Sequence, residues 1–205
     1  MSPPAAKRRR GRRTQAERSA ATQERILRAA VETLVERGYH RTSTAAICRR
    51  ARVTRGAQLH HWPTKAGLLA AAVEHLFQRR HDELRALLAD GRAPSLEAVF
   101  GKLWEIYSGP TLAAWLELVV AARTDRSLRQ AVQGVDRRLL PEAEATLRRL
   151  FAGAPAELTT AATRLVLSLL DGLALHHQVE GERAQVGPVL ELFQGLIGPW
   201  LGGER

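Results

Sequence analysis

The residues best suited to chemistry lie in a short segment of the chain where Arg55 and Gln58 are three positions apart. In a helix this spacing places two side chains on the same face. Arginine can form two hydrogen bonds with guanine O6 and N7, and glutamine can pair in the same way with adenine N6 and N7. Gly56 and Ala57 between them are small, so the helix could approach a partner closely. The segment therefore predicts a helix that reads base pairs in the major groove of DNA.

Polar side chains around this helix are suited to the DNA backbone. We expect Thr44, Thr54, His60 and Lys65 to bind phosphates, aided by helix N-termini, which favour anions. Arg52 could add a further phosphate contact. Apolar residues of the same segment are expected to hold the unit together instead: Ile47, Val53, Leu59 and Trp62.

Helix start and stop signals place these residues on three short helices. Thr14 and Glu17 have the spacing of a capping box, and Gly38 is well placed to end the helix that they begin. A cluster of possible N-cap residues at 42–44 precedes the second helix. Thr54 caps the third helix, which Pro63 stops after about two turns. Short helices with tight connections fit a helix-turn-helix unit.

Charge divides the chain into a basic first part and a near-neutral remainder. Residues 1–65 hold 16 of the 31 Lys and Arg residues but 4 of the 21 Asp and Glu residues, so the excess that gives the net charge of +10 lies there. We predict a disordered basic arm over 1–13, a helix-turn-helix domain over 14–64 with its motif at about 43–62, and a helical domain over 65–205. The uneven charge indicates a polyanion partner for the first part, and a solubilising charged tail is the alternative.

The remainder of the chain also reads as helices. The fourth helix should run from Lys65 to about Asp90, and the Gly109-Pro110 pair should separate two later segments. Pro141 should kink or split a long helix. No alternating strand pattern is present, so the predicted fold class is all-α. No apolar run reaches the length of a bilayer span, and the single cysteine, Cys48, cannot form an internal disulfide, so we expect a cytoplasmic protein.

The most specific pattern covers residues 41–65, which read RTSTAAICRRARVTRGAQLHHWPTK. This stretch resembles the DNA-binding signature of TetR-family transcription regulators, in V-T-R-G-A, the His60-His61 pair, the aromatic before proline and Lys65. The preceding segment ILRAAVETLVERGYHRTS is similar to the family's first helix, so the resemblance covers about residues 15–75. It implies an N-terminal three-helix DNA-binding domain and a C-terminal helical domain for ligand binding and dimerisation.

The chain departs from the family pattern at two positions that bear on DNA contacts. The family usually has glycine where Arg52 stands. A non-glycine residue with positive φ costs on the order of 1 kcal/mol, so Arg52 is either strained or sits in a different turn. Leu59 stands where the family usually has tyrosine, which removes a hydroxyl that could reach a phosphate.

The resemblance also implies that helices near 157–180 and 186–201 pair across a two-fold axis in a homodimer. The sequence supports this with apolar stripes on both helices, and a buried core within one chain is the alternative. The residues predicted for the dimer interface are Leu165, Leu169, Gly172, Leu173, His176, Leu190, Phe193, Leu196 and Ile197.

A ligand site is predicted where aromatic residues cluster around the 109–110 break. Trp104, Tyr107 and Trp115 would form its walls, with Glu117 and Asp171 as polar groups inside otherwise apolar helices. A carboxylate in such a place must be paired, hydrated or exposed. Apolar walls with a few polar groups are typical of a ligand pocket. The alternatives are ordinary core for the aromatics and, for Glu117, a salt bridge to Arg123 or Arg164.

These patterns together predict a DNA-binding transcription regulator, a repressor that a small, mostly apolar effector releases from a palindromic operator. Its expected partners are double-stranded operator DNA, the effector and a second copy of the chain, with no membrane. One rival is a DNA-binding protein without an effector. The other is an all-α enzyme, but the sequence has no nucleophile elbow, phosphate loop or H-E-x-x-H, so we predict no catalytic residue and no cofactor. The two adjacent His pairs point apart on a helix, so no metal site is predicted.

Overall fold

The computed structural model describes residues 14–88, 95–150 and 156–201. Over these ranges it contains nine α-helices, one 3-10 turn and no strand, which confirms the all-α prediction for them. The predicted basic arm over 1–13 lies outside the described residues. The helices are α1 (Gln15–Arg41), α2 (Thr44–Ala51), α3 (Arg55–His61), α4 (Lys65–Leu88), α5 (Leu96–Tyr107), α6 (Pro110–Ala122), α7 (Arg126–Leu150), α8 (Ala156–Glu180) and α9 (Val186–Leu201), with the 3-10 turn at Gly181–Ala184.

The predicted capping box begins α1. The Thr14 hydroxyl accepts a hydrogen bond from the Glu17 N–H at 3.2 Å, and the Glu17 carboxylate accepts one from the Thr14 N–H at 2.8 Å. Gly38 has φ +71°, so regular helical geometry stops there, as its position predicted, and one further turn continues to Arg41. The Thr42 N–H donates to the Gly38 carbonyl at 3.2 Å and closes that turn.

Side-chain caps and a left-handed residue define the segment from α2 to α3. Ser43 caps α2 through the Ala46 N–H, and Thr54 caps α3 through the Ala57 N–H at 3.3 Å. Arg52 ends α2 with φ 53° and ψ 49°, which is the left-handed conformation. The turn therefore keeps the geometry that favours glycine, and Arg52 adopts it under strain.

Helix α4 connects the helix-turn-helix part to the rest, since it packs against α1, α6 and α7. A single cluster of buried apolar side chains runs through both parts, from Ile26 and Ile47 to Leu118 and Leu170. Of the two outcomes predicted for Pro141, a kink or a split, the split does not occur, because α7 continues through this exposed residue. No helix in the described ranges is long and apolar enough to cross a membrane.

Replacing Arg52 with glycine should relieve the backbone strain of the turn. We expect Arg52→Gly to raise the free energy of unfolding by up to about 1 kcal/mol, because glycine adopts positive φ without a Cβ clash. Urea denaturation measures this change. Arg49→Gly is the matched control, an exposed arginine inside α2. It should lower the free energy of unfolding by about 1 kcal/mol. Equal destabilisation by both changes would show that Arg52 is not strained.

Candidate functional site

The exposed face of α3 carries the residues that could reach a DNA groove. Arg55, Gly56 and His60 are exposed on it, and Thr54 is exposed at its N-cap. Leu59 lies on the same face with 43% of its surface exposed. The structure thus presents a two-turn helix whose accessible side combines one guanidinium, one imidazole and one aliphatic side chain.

Gln58 does not lie on this face, which corrects its predicted role in base reading. Its relative exposure is 0%, and its amide nitrogen donates to the carbonyl of Trp62 one turn later. Leu59 was expected in the core but faces outward. The burial of the two adjacent residues is the reverse of that predicted, because in a two-turn helix a rotation of about one position decides which side chain faces α1 and α2.

The surroundings of α3 are basic. Arg49, Arg52 and Arg55 are all exposed and form no ion pair with any residue that the structure describes. Arg50, by contrast, contacts Glu36 and Glu32 of α1. Three unpaired guanidinium groups on one small unit create a positive potential suited to phosphates. Thr44, half-buried at the start of α2, stays a predicted phosphate contact.

Lys65 is engaged inside the protein, which corrects its predicted role as a phosphate contact. Its ammonium donates to the Tyr39 carbonyl at 2.6 Å and lies 4.0 Å from the centre of the Tyr39 ring. Burial lowers the pKa of Lys65, and the charge of Asp125 opposes that shift. Lys65 therefore holds the end of α1 against the start of α4.

Tyr39 also joins the helix-turn-helix part to α6 and α7. Its backbone N–H donates to the Glu117 carboxylate at 3.0 Å, and its phenol donates to Asp125 at 2.8 Å. Burial, followed by the bond to Asp125 and the charge of that carboxylate, raises the pKa of Tyr39 to about 12. The pKa of Asp125 is held low, mainly by the Leu128 N–H, which donates to it at 2.9 Å. We call this group, Tyr39, Lys65, Glu117 and Asp125, the Tyr39 junction.

The place of Glu117 corrects its prediction as a ligand-binding residue. Its carboxylate bonds the Tyr39 N–H beside Gly38, where an added Cβ would stand 3.2 Å from it. It contacts neither Arg123 nor Arg164, so the predicted salt bridge is also wrong. Glu117 satisfies the backbone at the end of α1.

A cavity lies between α4, α6, α7, α8 and the end of α5. It holds about 100 Å³ and adjoins a wider, more open depression of about 740 Å³, which shares Asp136 and Asp171 with it. Tyr107, Trp115 and Asp171, three of the residues predicted for the ligand site, line the cavity. Trp104 does not, because its ring packs edge-on against His177 at 5.5 Å, and this corrects its predicted place. Cavity residues that sequence reasoning missed include Phe77, His81, Asp136, Leu139 and Leu167.

The cavity combines aromatic walls with carboxylates. The Phe77 ring stands edge-on to Trp115 at 5.8 Å and is tilted against Tyr107 at 6.2 Å. Burial raises the pKa of Asp171 to about 6, and the charge of Asp136 adds to the shift. Burial and the Asp171 charge together raise the pKa of Tyr107, while burial lowers the pKa of His81. The site is therefore partly desolvated and carries negative charge.

Two family descriptions match the chain. "Bacterial regulatory proteins, tetR family" covers residues 26–72, and "BetI-type transcriptional repressor, C-terminal" covers residues 108–197. The chain belongs to the TetR family. The first match contains α3 and its caps, and the second contains most of the cavity residues.

TetR-family relatives are similar to parts of the chain. An uncharacterized HTH-type transcriptional regulator of Mycobacterium tuberculosis is 38% identical over 125 residues, which are 60% of this chain and 64% of the relative. CymR of Pseudomonas putida is 37% identical over 60% of this chain and 61% of its own. The chain thus matches less than two thirds of the length of these relatives. BetI of Ectopseudomonas mendocina is 29% identical over 77% of this chain and 82% of its own.

Solved structures share the TetR-family fold at low identity. GusR of Salmonella enterica superimposes with a TM-score of 0.63 at 18% identity and covers 88% of this chain and 95% of its own. A protein from Saccharomonospora viridis, described as a transcriptional regulator and solved in complex with choline, has a TM-score of 0.61 at 18% identity. It covers 87% of this chain and 96% of its own.

Helices α8 and α9 carry the apolar face from which dimerisation of this TetR-family chain was predicted. Leu165, Leu196 and His176 are exposed. Leu173 and Leu190 are buried within the protomer and belong to its core, which corrects their place in the predicted interface. The remaining predicted residues are half-buried: Leu169, Gly172, Phe193 and Ile197.

Sequence reasoning missed three exposed apolar side chains of this face. Val179 is 80% exposed, and Leu175 and Leu192 are also exposed. Both sides of α8 are rich in leucine, so a stripe in the sequence does not show which side meets α6 and which side is free. A large exposed apolar area suits a protein partner.

Alanine substitutions should separate the roles of Gln58 and Leu59. Gln58→Ala should lower the free energy of unfolding by about 1 kcal/mol or more, because it removes a buried side chain and its bond to Trp62. Leu59→Ala should change stability by less than about 0.5 kcal/mol, because Leu59 is exposed. It should instead weaken preference for one A·T pair, since an aliphatic side chain can contact a thymine methyl. Urea denaturation and binding to an operator library measure the two effects. If Gln58→Ala changed the base preference and left the stability unchanged, Gln58 would contact bases in the major groove, contrary to its buried position.

The pKa of Asp171 predicts a pH-dependent stability. Its pKa rises from 3.8 to about 6 on folding, so the folded protein holds this proton to higher pH than the unfolded chain. The corresponding stability is present below pH 3.8 and is lost as the pH rises to about 6. The Asp171→Asn variant has no ionisable group at this position, so it should not lose this stability. Its free energy of unfolding should therefore rise relative to that of the unchanged protein as the pH increases from 3.8 to about 6. Urea denaturation from pH 4 to 8 measures the difference. Asp82→Asn, exposed on α4 outside the cavity, should not reproduce this gain.

Proposed function

We propose that the protein is a transcriptional repressor that binds a palindromic operator as a dimer and is released by a small effector in the cavity. The observation that carries this proposal is the exposed face of α3, with Arg55 at its start and unpaired arginines around it. An arginine at the beginning of a recognition helix is placed to bond a guanine edge. We expect Thr54, Arg52 and His60 to contact phosphates, and we expect a cytoplasmic location.

Repression and dimerisation rest on different parts of the chain. The description that matches residues 108–197 is of a repressor, which supports repression. The exposed apolar side chains of α8 and α9 support a second copy as partner. A two-fold dimer presents two recognition helices, so its operator should be an inverted repeat.

Release by an effector is supported by the cavity and by the path from it to α2. Helix α6 carries Trp115, which lines the cavity, and two positions later Glu117. The Glu117 carboxylate accepts a hydrogen bond from the Tyr39 N–H. A ligand that displaces α6 would strain the Tyr39 junction at the end of α1, directly before α2. The choline complex of the relative from Saccharomonospora viridis supports a small molecule as the effector. A DNA-binding protein without an effector would need neither the cavity nor this connection.

Binding titrations against a library of single-base operator variants at several salt concentrations test the proposed DNA contacts. The operator is first selected from random duplexes with the full chain. Arg55→Ala should cost about 1–3 kcal/mol on that operator and relax preference at one base pair in each half-site. Arg52→Ala is the control for backbone contacts, because it keeps a non-glycine residue in the turn. It should lower the affinity for all sequences equally and reduce the slope of log affinity against log salt concentration by roughly one unit.

Two results would contradict the proposal. If the selection yielded no preferred duplex, the protein would have no specific operator and the proposal would be wrong. A uniform loss of affinity for Arg55→Ala, with base preferences intact, would mean that α3 does not enter the major groove.

A further inference from the structure

The polar groups of the cavity lack partners within the protein. Asp171, Asp136, Tyr107 and His81 all line it, and their side chains form no hydrogen bond or ion pair with the residues that the structure describes. His81 is 7% exposed, and its Nδ1 is a buried atom without a hydrogen-bond partner. Buried polar groups in proteins are nearly always satisfied. Asp136 is exposed and Asp171 is half-buried, so water can reach both carboxylates, whereas the buried Nδ1 of His81 is left for a ligand to complete.

The charge of this group is negative. Asp136 and Asp171 come from α7 and α8 and interact closely enough that the charge of one raises the pKa of the other. His81 is held neutral, since burial lowers its pKa. Arg137 and Arg164 line the wider depression and not the 100 Å³ cavity. Partial burial raises the pKa of Asp136, and the charge of Arg164 opposes that shift. Asp171, by contrast, forms no ion pair with any residue that the structure describes, and only burial and Asp136 act on its pKa.

Three aromatic rings line the cavity: Phe77, Tyr107 and Trp115. The centroid of the Phe77 ring lies 5.8 Å from that of Trp115 and 6.2 Å from that of Tyr107. Aromatic faces attract cations and also contact apolar groups. Carboxylates form their strongest hydrogen bonds with charged N–H donors.

We propose that the effector is an organic amine in its protonated form, with its N–H groups on Asp171 and its apolar part against Tyr107, Trp115 and Phe77. This inference rests on the proposed function of the cavity as an effector site. It refines the expectation of a mostly apolar effector, because a neutral apolar ligand would take water away from the half-buried Asp171 without replacing it and would leave His81 Nδ1 unsatisfied. A fully methylated ammonium would balance the charge but could not donate to an oxygen or to the neutral imidazole.

Calorimetric titration of the full chain without DNA tests the inference with two matched pairs of probes. Benzylamine and benzyl alcohol differ in charge at nearly equal size, and we expect benzylamine to bind at least tenfold more tightly. N,N-dimethylbenzylamine, when protonated, and benzyltrimethylammonium both carry a charge, but only the first has an N–H. We expect the first to bind at least fivefold more tightly. Equal affinity within either pair would overturn the inference.

Substitutions locate the binding. Asp171→Asn should reduce the affinity for benzylamine at least tenfold and leave that for benzyl alcohol nearly unchanged. Glu105→Gln, an exposed carboxylate on α5, is the matched control and should change neither affinity. If Asp171→Asn had no effect on benzylamine, or weakened both probes equally, the placement of the nitrogen on Asp171 would be wrong.

The DNA experiments remain separate from these titrations. Tight amine binding by a chain that selects no operator would support the inference and contradict the proposed function. Operator binding by a chain that does not distinguish benzylamine from benzyl alcohol would support DNA binding in the proposed function and contradict the inference about the amine.

Discussion

Tyr39 stands where three parts of the chain must meet: the end of α1, the start of α4 and the loop from α6 to α7. Its carbonyl, N–H, ring and hydroxyl are all used, by Lys65, Glu117 and Asp125. Because Gly38 ends regular helical geometry one residue earlier, the Tyr39 N–H needs an acceptor from outside α1, and Glu117 supplies it. Tyr39 therefore adds polar contacts to the apolar packing that holds the end of α1, directly before α2, against α4 and α6.

The same constraint connects DNA binding to the cavity in the proposed mechanism. Helix α6 runs from the aromatic wall at Trp115 to the junction at Glu117, so one rigid element touches both sites. Coupling between sites requires an element whose position both of them bias, and in the proposed mechanism that element is α6. Of the charged partners of Tyr39, Glu117 is exposed, and Lys65 and Asp125 are half-buried.

The two sites differ in how they treat polar groups. On α3 the arginines are exposed and solvated, ready to exchange water for phosphate or base. In the cavity the Nδ1 of His81 is buried without a hydrogen-bond partner, and Asp171 is half-buried and partly desolvated. Such groups lower the stability of the free protein. A core that served packing alone would have apolar residues there, so this destabilisation is expected at a binding site.

The sequence by itself determined where helices begin and end, and it located the basic DNA-binding unit. Thr14 with Glu17, Thr54 and the Gly109-Pro110 pair act on backbone groups within four positions, so their effect is readable without knowledge of the fold. At Arg52 the resemblance to the family pattern left two alternatives, a strained residue or a different turn, and the left-handed conformation in the structure decided for strain. Only the tertiary structure decided that Gln58 points inward and Leu59 outward, that Glu117 bonds Tyr39 and that Trp104 lies outside the cavity. It also brought together Asp136 and Asp171 from α7 and α8. These outcomes depend on how distant helices rotate and pack against each other, and that information is spread over the whole core rather than held in any local pattern.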